Sequence, residues 1–232
     1  MIYEALNLPL LRRIPRDARR VLDLGCGTGV FGERLQAERA GCRVLGVTFS
    51  EDEAAAARPR LDAVLVRNLD AFDPAEIRTQ PGFADGVDCV VCSHVLEHLL
   101  DPAALLRSLR VCFAPPATAG WLVVGLPNVM LWKQRVAFLR GHFRYTEGGI
   151  MDRTHRAFYD WESARALLTD NGFRLESAEA DGVFPLPGLR PLLGAALSAS
   201  IDRGALRRFP NVFGYQFILV ARPEAAPASA TA

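Results

Sequence analysis

The sequence predicts an α/β fold of the doubly wound kind: a seven-stranded, mostly parallel sheet with an antiparallel last strand, in a three-layer sandwich. Three observations carry this. Short apolar runs alternate with helical patterns from Val21 to Asn171, as in strand–helix–strand units that build a parallel sheet covered on both faces. The first run, Arg20-Val21-Leu22-Asp23-Leu24, passes straight into Gly25-Cys26-Gly27-Thr28-Gly29, a glycine turn that opens a helix. The last two strand-like segments have no helix between them long enough to demand a parallel crossover.

Taken in order, residues 1–19 read as a helix and linker. Strands are expected at Val21–Leu24, Val44–Val47, Ala63–Arg67, Val87–Cys92 and Trp121–Leu126, and helices at Gly29–Arg39, Glu51–Ala57, Ala103–Cys112 and Trp161–Asn171. Asn171-Gly172 closes the last helix. Arg174–Ala180 and Phe213–Ala221 form the final strand pair. Two segments interrupt the alternation. Residues 127–160 are rich in Arg, His and aromatics. Residues 184–210 place Leu189, Leu192, Leu193, Leu197 and Ile201 at helical spacing, which suits a lid, a dimer contact or an amphipathic membrane-facing helix. Pro223–Ala232 has the composition of a disordered tail. Residues 1–222 read as a single domain.

With 232 residues, half of them apolar, the chain can build one full core. A net charge of +1 exerts no global pull on nucleic acid or membrane. Between Lys133 and Arg156, however, six basic side chains meet only Glu147 and Asp152, a local excess suited to an anionic ligand or to a solvated face. Five scattered cysteines indicate a reducing compartment. Cys89 and Cys92 have C-x-x-C spacing but fall in a strand, whose alternation sends them to opposite faces. Arg12 and Arg13 interrupt the only early apolar stretch, so no leader peptide is expected. No run approaches the ~18 apolar residues of a membrane span. A cytoplasmic protein without stable membrane insertion is expected, and the Arg- and Ala-rich usage suggests a GC-rich bacterial genome.

The glycine turn is where chemistry concentrates. Alternate glycines let a ligand approach backbone that a Cβ would block, and the following helix aims free N–H groups into the turn. Val30 stands where a G-x-G-x-x-G dinucleotide site wants its third glycine. The run D-L-G-C-G-T-G instead resembles the first motif of class I S-adenosylmethionine (SAM) methyltransferases, whose Rossmann-like seven-stranded sheet matches the expected fold. The resemblance implies that Asp23, Gly25, Cys26, Gly27 and Gly29 hold SAM (product S-adenosyl-L-homocysteine), with Asp23 near the ammonium. At the second strand's end the family usually has Asp or Glu for the ribose, but this chain has Thr48-Phe49, followed by Ser50-Glu51. Cyclopropane fatty-acid synthases share the threonine, in a similar G-x-T-x-S stretch. Ser50 or Glu51 is an alternative ribose acceptor; an N-cap and a first-turn acid are their ordinary roles. Asn68-Leu69 fits the adenine position, and Ser93-His94 the segment beside the sulfonium.

Further on, Leu126-Pro127-Asn128, Trp132, Arg135, Asp152-Arg153-Thr154-His155 and Phe158 are similar to a bacterial branch of small-molecule methyltransferases with a D-R-T-H signature, and more loosely to MetW-like proteins. The similarity spans residues 18–182. It implies methyl transfer to O, N or C of a small, possibly anionic, metabolite or natural-product intermediate. Alternatives are a non-catalytic SAM-fold partner of a biosynthetic enzyme and a lipid-modifying methyltransferase. No nucleic-acid partner is expected, and the chain acts as a monomer or homodimer. His155 is the first candidate for a base or acceptor-orienting residue, or else part of an Asp152–Arg153–His155 latch; His94 is the second. Arg144, Arg153, Tyr145 and Trp132 are candidate substrate contacts. On a helix, His94, Glu97 and His98 would share a face, and ubiquinone-pathway O-methyltransferases use a similar E-x-x-E-H segment in metal dependence; no metal is nonetheless expected here.

Overall fold

The computed structural model describes residues 6–225. Its seven strands are β1 Arg20–Leu24, β2 Arg43–Thr48, β3 Ala63–Val66, β4 Cys89–Ser93, β5 Trp121–Pro127, β6 Phe173–Gly182 and β7 Gly214–Pro223. They form one sheet in the order β3-β2-β1-β4-β5-β7-β6. The first five are parallel, and β7 runs antiparallel to both β5 and β6. The doubly wound sheet with an antiparallel last strand is thus as expected. The strand order reverses between β1 and β4, and a crevice at such a switch point is where α/β sheets bind ligands.

Period-two alternation sorts the strands' side chains into two buried clusters. Leu22, Leu24, Val90, Cys92, Leu122 and Val124 pack with Leu105 and Leu106 of helix α4 (Pro102–Ser108) and Leu168 of α6 (Trp161–Thr169). Val21, Val44, Cys89, Val91 and Val123 pack on the opposite face with Leu10 of α1 (Leu8–Leu11), Leu35 of α2 (Val30–Glu38) and Ala57 of α3 (Glu51–Ala57). Cys89 and Cys92 accordingly lie on opposite faces, and all five cysteines are buried and free.

Several boundaries differ from expectation. The helix expected at Ala103–Cys112 ends at Ser108 and tightens into a 3-10 turn over Leu109–Cys112. There the Ser108 hydroxyl donates to the Leu105 carbonyl, competing with the helical ladder. Val87 makes only an isolated bridge to Phe113, so β4 begins two residues later than expected. The last two strands are longer, and β7 continues through Pro223, where a disordered tail was expected, because Pro223 pairs with Phe173 and the Glu224 N–H bonds to Gly172. Residues 226–232 of that tail, and 1–5 of the expected N-terminal helix, lie outside the described residues.

Both insertions contain helices. Helix α5 (Trp132–Leu139) sits in the first. The second forms α7 (Arg190–Arg208) and α8 (Pro210–Phe213), with α7 broken at Gly194, whose φ of 70° is not helical. Leu189, Leu192 and Leu197 are exposed along it.

Candidate active site

The parallel strands deliver the site at their carboxyl edge. After β1, Gly25, Gly27 and Gly29 adopt φ of 74°, 51° and 82°, left-handed backbone that favours glycine. The turn is pinned to β2, with the N–H groups of Gly25 and Cys26 donating to the Val47 carbonyl at 2.8 and 3.0 Å. A Cβ on Gly25 would meet Val95 Cγ2 at 2.4 Å. The Cys26 side chain is buried beside Gly46 of β2, so its place in the turn is one of packing.

Asp23 is 2% exposed, and its Oδ2 has no hydrogen-bond partner. Burial pushes its carboxyl up to about 7. A desolvated, under-satisfied carboxylate beside a glycine cradle is a place where a cationic ligand group would relieve the cost of burial.

At the end of β2, the buried Thr48 hydroxyl donates to Glu53 Oε2, one turn into α3. Ser50 caps that helix by accepting from the Glu53 N–H, and Glu51 pairs with Arg58. Both residues therefore have the ordinary helix-start roles. The carboxylate beside Thr48 is Glu53, which the sequence reading passed over. Phe49 is 76% exposed at this edge. Asn68 uses its side-chain oxygen to cap the following turn, accepting from the Asp70 N–H at 3.0 Å, which leaves the oxygen's second lone pair for a ligand. Leu69 packs partly into the core.

The loop after β4 is anchored from several directions. Ser93 Oγ accepts from Asn7 at 3.1 Å. His94 adopts φ of 56°, and its N–H bonds to the Gly125 carbonyl. That left-handed residue keeps His94 out of the short 3-10 turn Leu96–His98, so the helical face that would join His94 to Glu97 and His98 does not form. His94 Nε2 lies 2.9 Å from Gln216 Oε1, and Nδ1 is 3.3 Å from Glu97 Oε1. Burial would lower the imidazole's pKa, but Glu97 and Gln216 outweigh it and hold His94 above its ordinary value.

The segment 127–160 folds back against this loop. Asn128 is fully buried; its amide donates to the Asn211 and Gly214 carbonyls and its oxygen accepts from the Met130 N–H. Arg156 and Ala157 donate backbone N–H groups to the Glu97 carbonyl. Asp152 accepts from the N–H and hydroxyl of Thr154, and Thr154 Oγ1 lies 3.0 Å from His98 Nδ1. The latch is therefore Asp152–Thr154–His98. Arg153 stays outside it, exposed and paired with Glu147.

His155 lies edge-on to His98 at 4.8 Å between ring centroids, with Nδ1 3.1 Å from the Ile150 carbonyl. Burial lowers its pKa. The half-exposed Tyr145 meets Phe143 edge-on and lies tilted against Phe158, and Phe158 lies edge-on to His155, which brings Tyr145 within one ring of the candidate base. Trp132 opens α5, Lys133 lying 5.8 Å over its ring, and Arg144 is solvent-exposed.

A doubly wound sheet with β7 antiparallel, a glycine turn after β1 and an orphaned acid beneath it define a class I methyltransferase architecture. Residues 3–178 match the family described as methyltransferase domain, and the chain belongs to that family: it is a class I, SAM-dependent methyltransferase domain. A ubiquinone biosynthesis O-methyltransferase of Bordetella bronchiseptica is 35% identical over 114 residues, 48% of this chain and 44% of that protein. An uncharacterised 37.1 kDa transposon protein of Streptomyces fradiae is 33% identical over 129 residues, 54% of this chain and 34% of that one. The matches thus span less than half the length of these curated relatives. Among solved structures, a SAM-dependent methyltransferase from Mesorhizobium loti superposes with a TM-score of 0.58 at 20% identity, covering 94% of this chain and 98% of that one. Magnesium protoporphyrin IX methyltransferase of Synechocystis, solved with S-adenosylhomocysteine, gives 0.53 at 19%, covering 88% and 74%. No helix among the described residues is long and apolar enough to cross a membrane.

Proposed function

We propose that this chain transfers a methyl group from SAM to an O, N or C atom of a small acceptor, a metabolite or natural-product intermediate with anionic character. The observation that carries the reading is the buried Asp23 carboxylate, whose Oδ2 has no hydrogen-bond partner, beside a glycine turn in which Val95 would block a Cβ at Gly25. Asp23 would pair with the ammonium of SAM, and Glu53, steadied by Thr48, would accept hydrogen bonds from the ribose. Gly25, Gly27 and Gly29 would let the cofactor lie against the backbone, with Asn68 and Leu69 at the adenine and Ser93 and His94 toward the sulfonium. Bound SAM supplies an electrophilic methyl group. The chain's own task is to align the acceptor, exclude water and take up a proton.

The two candidate histidines divide that work. His94 is bridged by Gln216 and Glu97, which favour its cationic form, so it is poorly suited to accept a proton. His155 has its pKa lowered by burial and, with Nδ1 directed to the Ile150 carbonyl, keeps a free lone pair on Nε2. His155 is the base or orienting group in this reading. Tyr145, Trp132 and the arginines Arg144 and Arg153 would meet the acceptor's body and its charge. The carboxylate of Glu53 favours this reading over a non-catalytic scaffold, since it supplies the two-oxygen acceptor that a lone threonine hydroxyl does not. Calorimetric titration with SAM, followed by transfer of labelled methyl to a panel of small carboxylated and hydroxylated acceptors, tests it. Binding and transfer are expected; SAM binding without transfer to any acceptor would favour the scaffold.

A further inference from the structure

The insertion between β6 and β7 is a helical unit with a poorly covered face. Of the 19 residues of α7 only Ser198 is buried, and α8 buries none. Leu189, Leu192, Leu197 and Phe209 are between 48% and 80% exposed. Helical spacing carries Leu197 into one stripe with Ile201, Ala205 and Arg208. Those three line an apolar cleft of about 560 Å³, with Phe184, Phe209 and Phe213 among its other walls. Exposed apolar residues gathered on one face in this way mark an interaction site, where singly scattered ones would not.

Charge narrows what can cover that face. Residues 184–213 carry four arginines and a single acid, Asp202. Asp202 is spent inside the unit, accepting from the Phe184 N–H and from the Arg190 guanidinium. Among the described residues Arg203 and Arg207 have no ion pair or hydrogen bond, and the Arg208 guanidinium lies 4.9 Å over the Phe209 ring. A twofold contact between copies would set these arginines against their own images. A hinged lid fits no better, because α8 is fastened at its base: Asn128 donates to the Asn211 carbonyl, and the Trp161 N–H donates to the Asn211 side chain. A protein partner would need an acid matched to each guanidinium. An anionic bilayer pairs with cations at any spacing, and long arginine stems let the charges reach headgroups while leucines enter the acyl boundary.

We propose that α7 and α8, with Leu189 before them, form a docking surface for an anionic lipid bilayer, on which the chain adsorbs without crossing it. The leucines and Phe209 enter the acyl boundary, and Arg203, Arg207 and Arg208 meet the headgroup phosphates. The surface also has a definite place in the fold. β7 begins where β5 ends, Gln216 pairing with Pro127, and Gln216 also reaches His94. The insertion thus rises from the same carboxyl edge of the sheet as the glycine turn, and adsorption would hold that edge close to the lipid. The docking surface stands independently of the methyl-transfer reading.

The full-length chain is sedimented with vesicles of phosphatidylcholine alone and of equal parts phosphatidylcholine and phosphatidylglycerol. Co-sedimentation with the anionic vesicles and not with the neutral ones is expected, weakened in 1 M salt, where the screening length shortens to about 3 Å. Leu192→Glu and Leu197→Glu should each reduce binding by roughly tenfold or more, and Arg203→Gln with Arg207→Gln by roughly fivefold per arginine removed. Val111→Glu, at a 56% exposed position beside the amino end of β4, should leave it unchanged. Circular dichroism identifies any variant that fails to fold. No binding to anionic vesicles, equal binding to neutral ones, or binding indifferent to both leucine variants would overturn the surface. So would a lipid-free dimer, seen in sedimentation velocity, that Leu197→Glu dissociates, since it would give this face to a second copy. SAM titrations on the same samples separate the two proposals: SAM binding in a chain that ignores the vesicles defeats only this one, and vesicle binding without SAM defeats only the methyl-transfer reading.

Discussion

Replacing Asp23 with Asn should make the SAM-free protein more stable and its cofactor binding weaker, and the stability gain should grow with pH. The carboxyl rises from an ordinary 3.8 to about 7 because burial penalises its charged form. A raised carboxylate pKa costs stability wherever the unfolded chain ionises the group more readily than the folded one. The penalty is absent below about pH 4, grows between the two pKa values and is complete above about 7. At about 1.4 kcal/mol per unit, roughly three units amount to about 4 kcal/mol at pH 8 and about 1.6 at pH 5. Asn removes the titration but keeps the shape. The difference in stability between variant and parent should therefore increase by roughly 2–3 kcal/mol from pH 5 to pH 8, or roughly 5–10 °C in Tm for a chain of this length. Comparing the increments cancels any constant cost of the amide. Thermal melts of both proteins without SAM, at pH 5 and pH 8, measure it. A difference that stays flat between the two pH values would refute the claim that Asp23 is held charged at the expense of the fold. Undiminished SAM affinity in the variant would refute its role beneath the ammonium.

Three further outcomes follow from the same geometry. Glu53→Ala should weaken SAM binding by roughly ten- to 150-fold, the worth of one hydrogen bond to a charged group at about 1.5–3 kcal/mol, while Glu51→Ala should leave calorimetric affinity unchanged. His155→Gln should lower kcat with little change in SAM affinity. Because burial holds His155 below its ordinary pKa and the base must be unprotonated, the parent enzyme's rate should persist below pH 6.5 before falling, a limb the variant lacks. Asn128→Ala should destabilise the fold by about 2–4 kcal/mol in urea denaturation with an unchanged m-value, since it strands the Met130 N–H and the Asn211 and Gly214 carbonyls inside the protein.

What was legible in the sequence is what local pattern controls. Alternating apolar residues set the strands and the opposite faces of Cys89 and Cys92, and the alternate glycines announced a left-handed turn after β1. Glu53 is not legible from adjacency, because Ser50 and Glu51 lie nearer to Thr48 in the chain. Once Ser50 caps α3, the first helical turn carries Glu53, three residues on, back over the strand end, a signal available from the cap and spacing together. The Asp152–Thr154–His98 latch and the His98–His155 ring contact join residues more than fifty positions apart, and no local period encodes that. Arg153 stood beside Asp152 in the motif, but Glu147 offered an exposed partner that costs no desolvation. The break at Ser108 turns on one hydroxyl's competition for a carbonyl, a contest that an apolar pattern does not register.

The glycine turn as a cofactor cradle is the centre of this reading, and one titration tests it most directly. SAM and S-adenosylhomocysteine are titrated into the parent chain, Gly25→Ala and Gly41→Ala. Both glycines have positive φ, 74° and 77°, but a Cβ meets Val95 at position 25 and nothing within 4 Å at position 41. Micromolar binding to the parent and to Gly41→Ala, with at least tenfold loss in Gly25→Ala, is the expected result. Equal affinity in all three, or no binding to the parent, would contradict it.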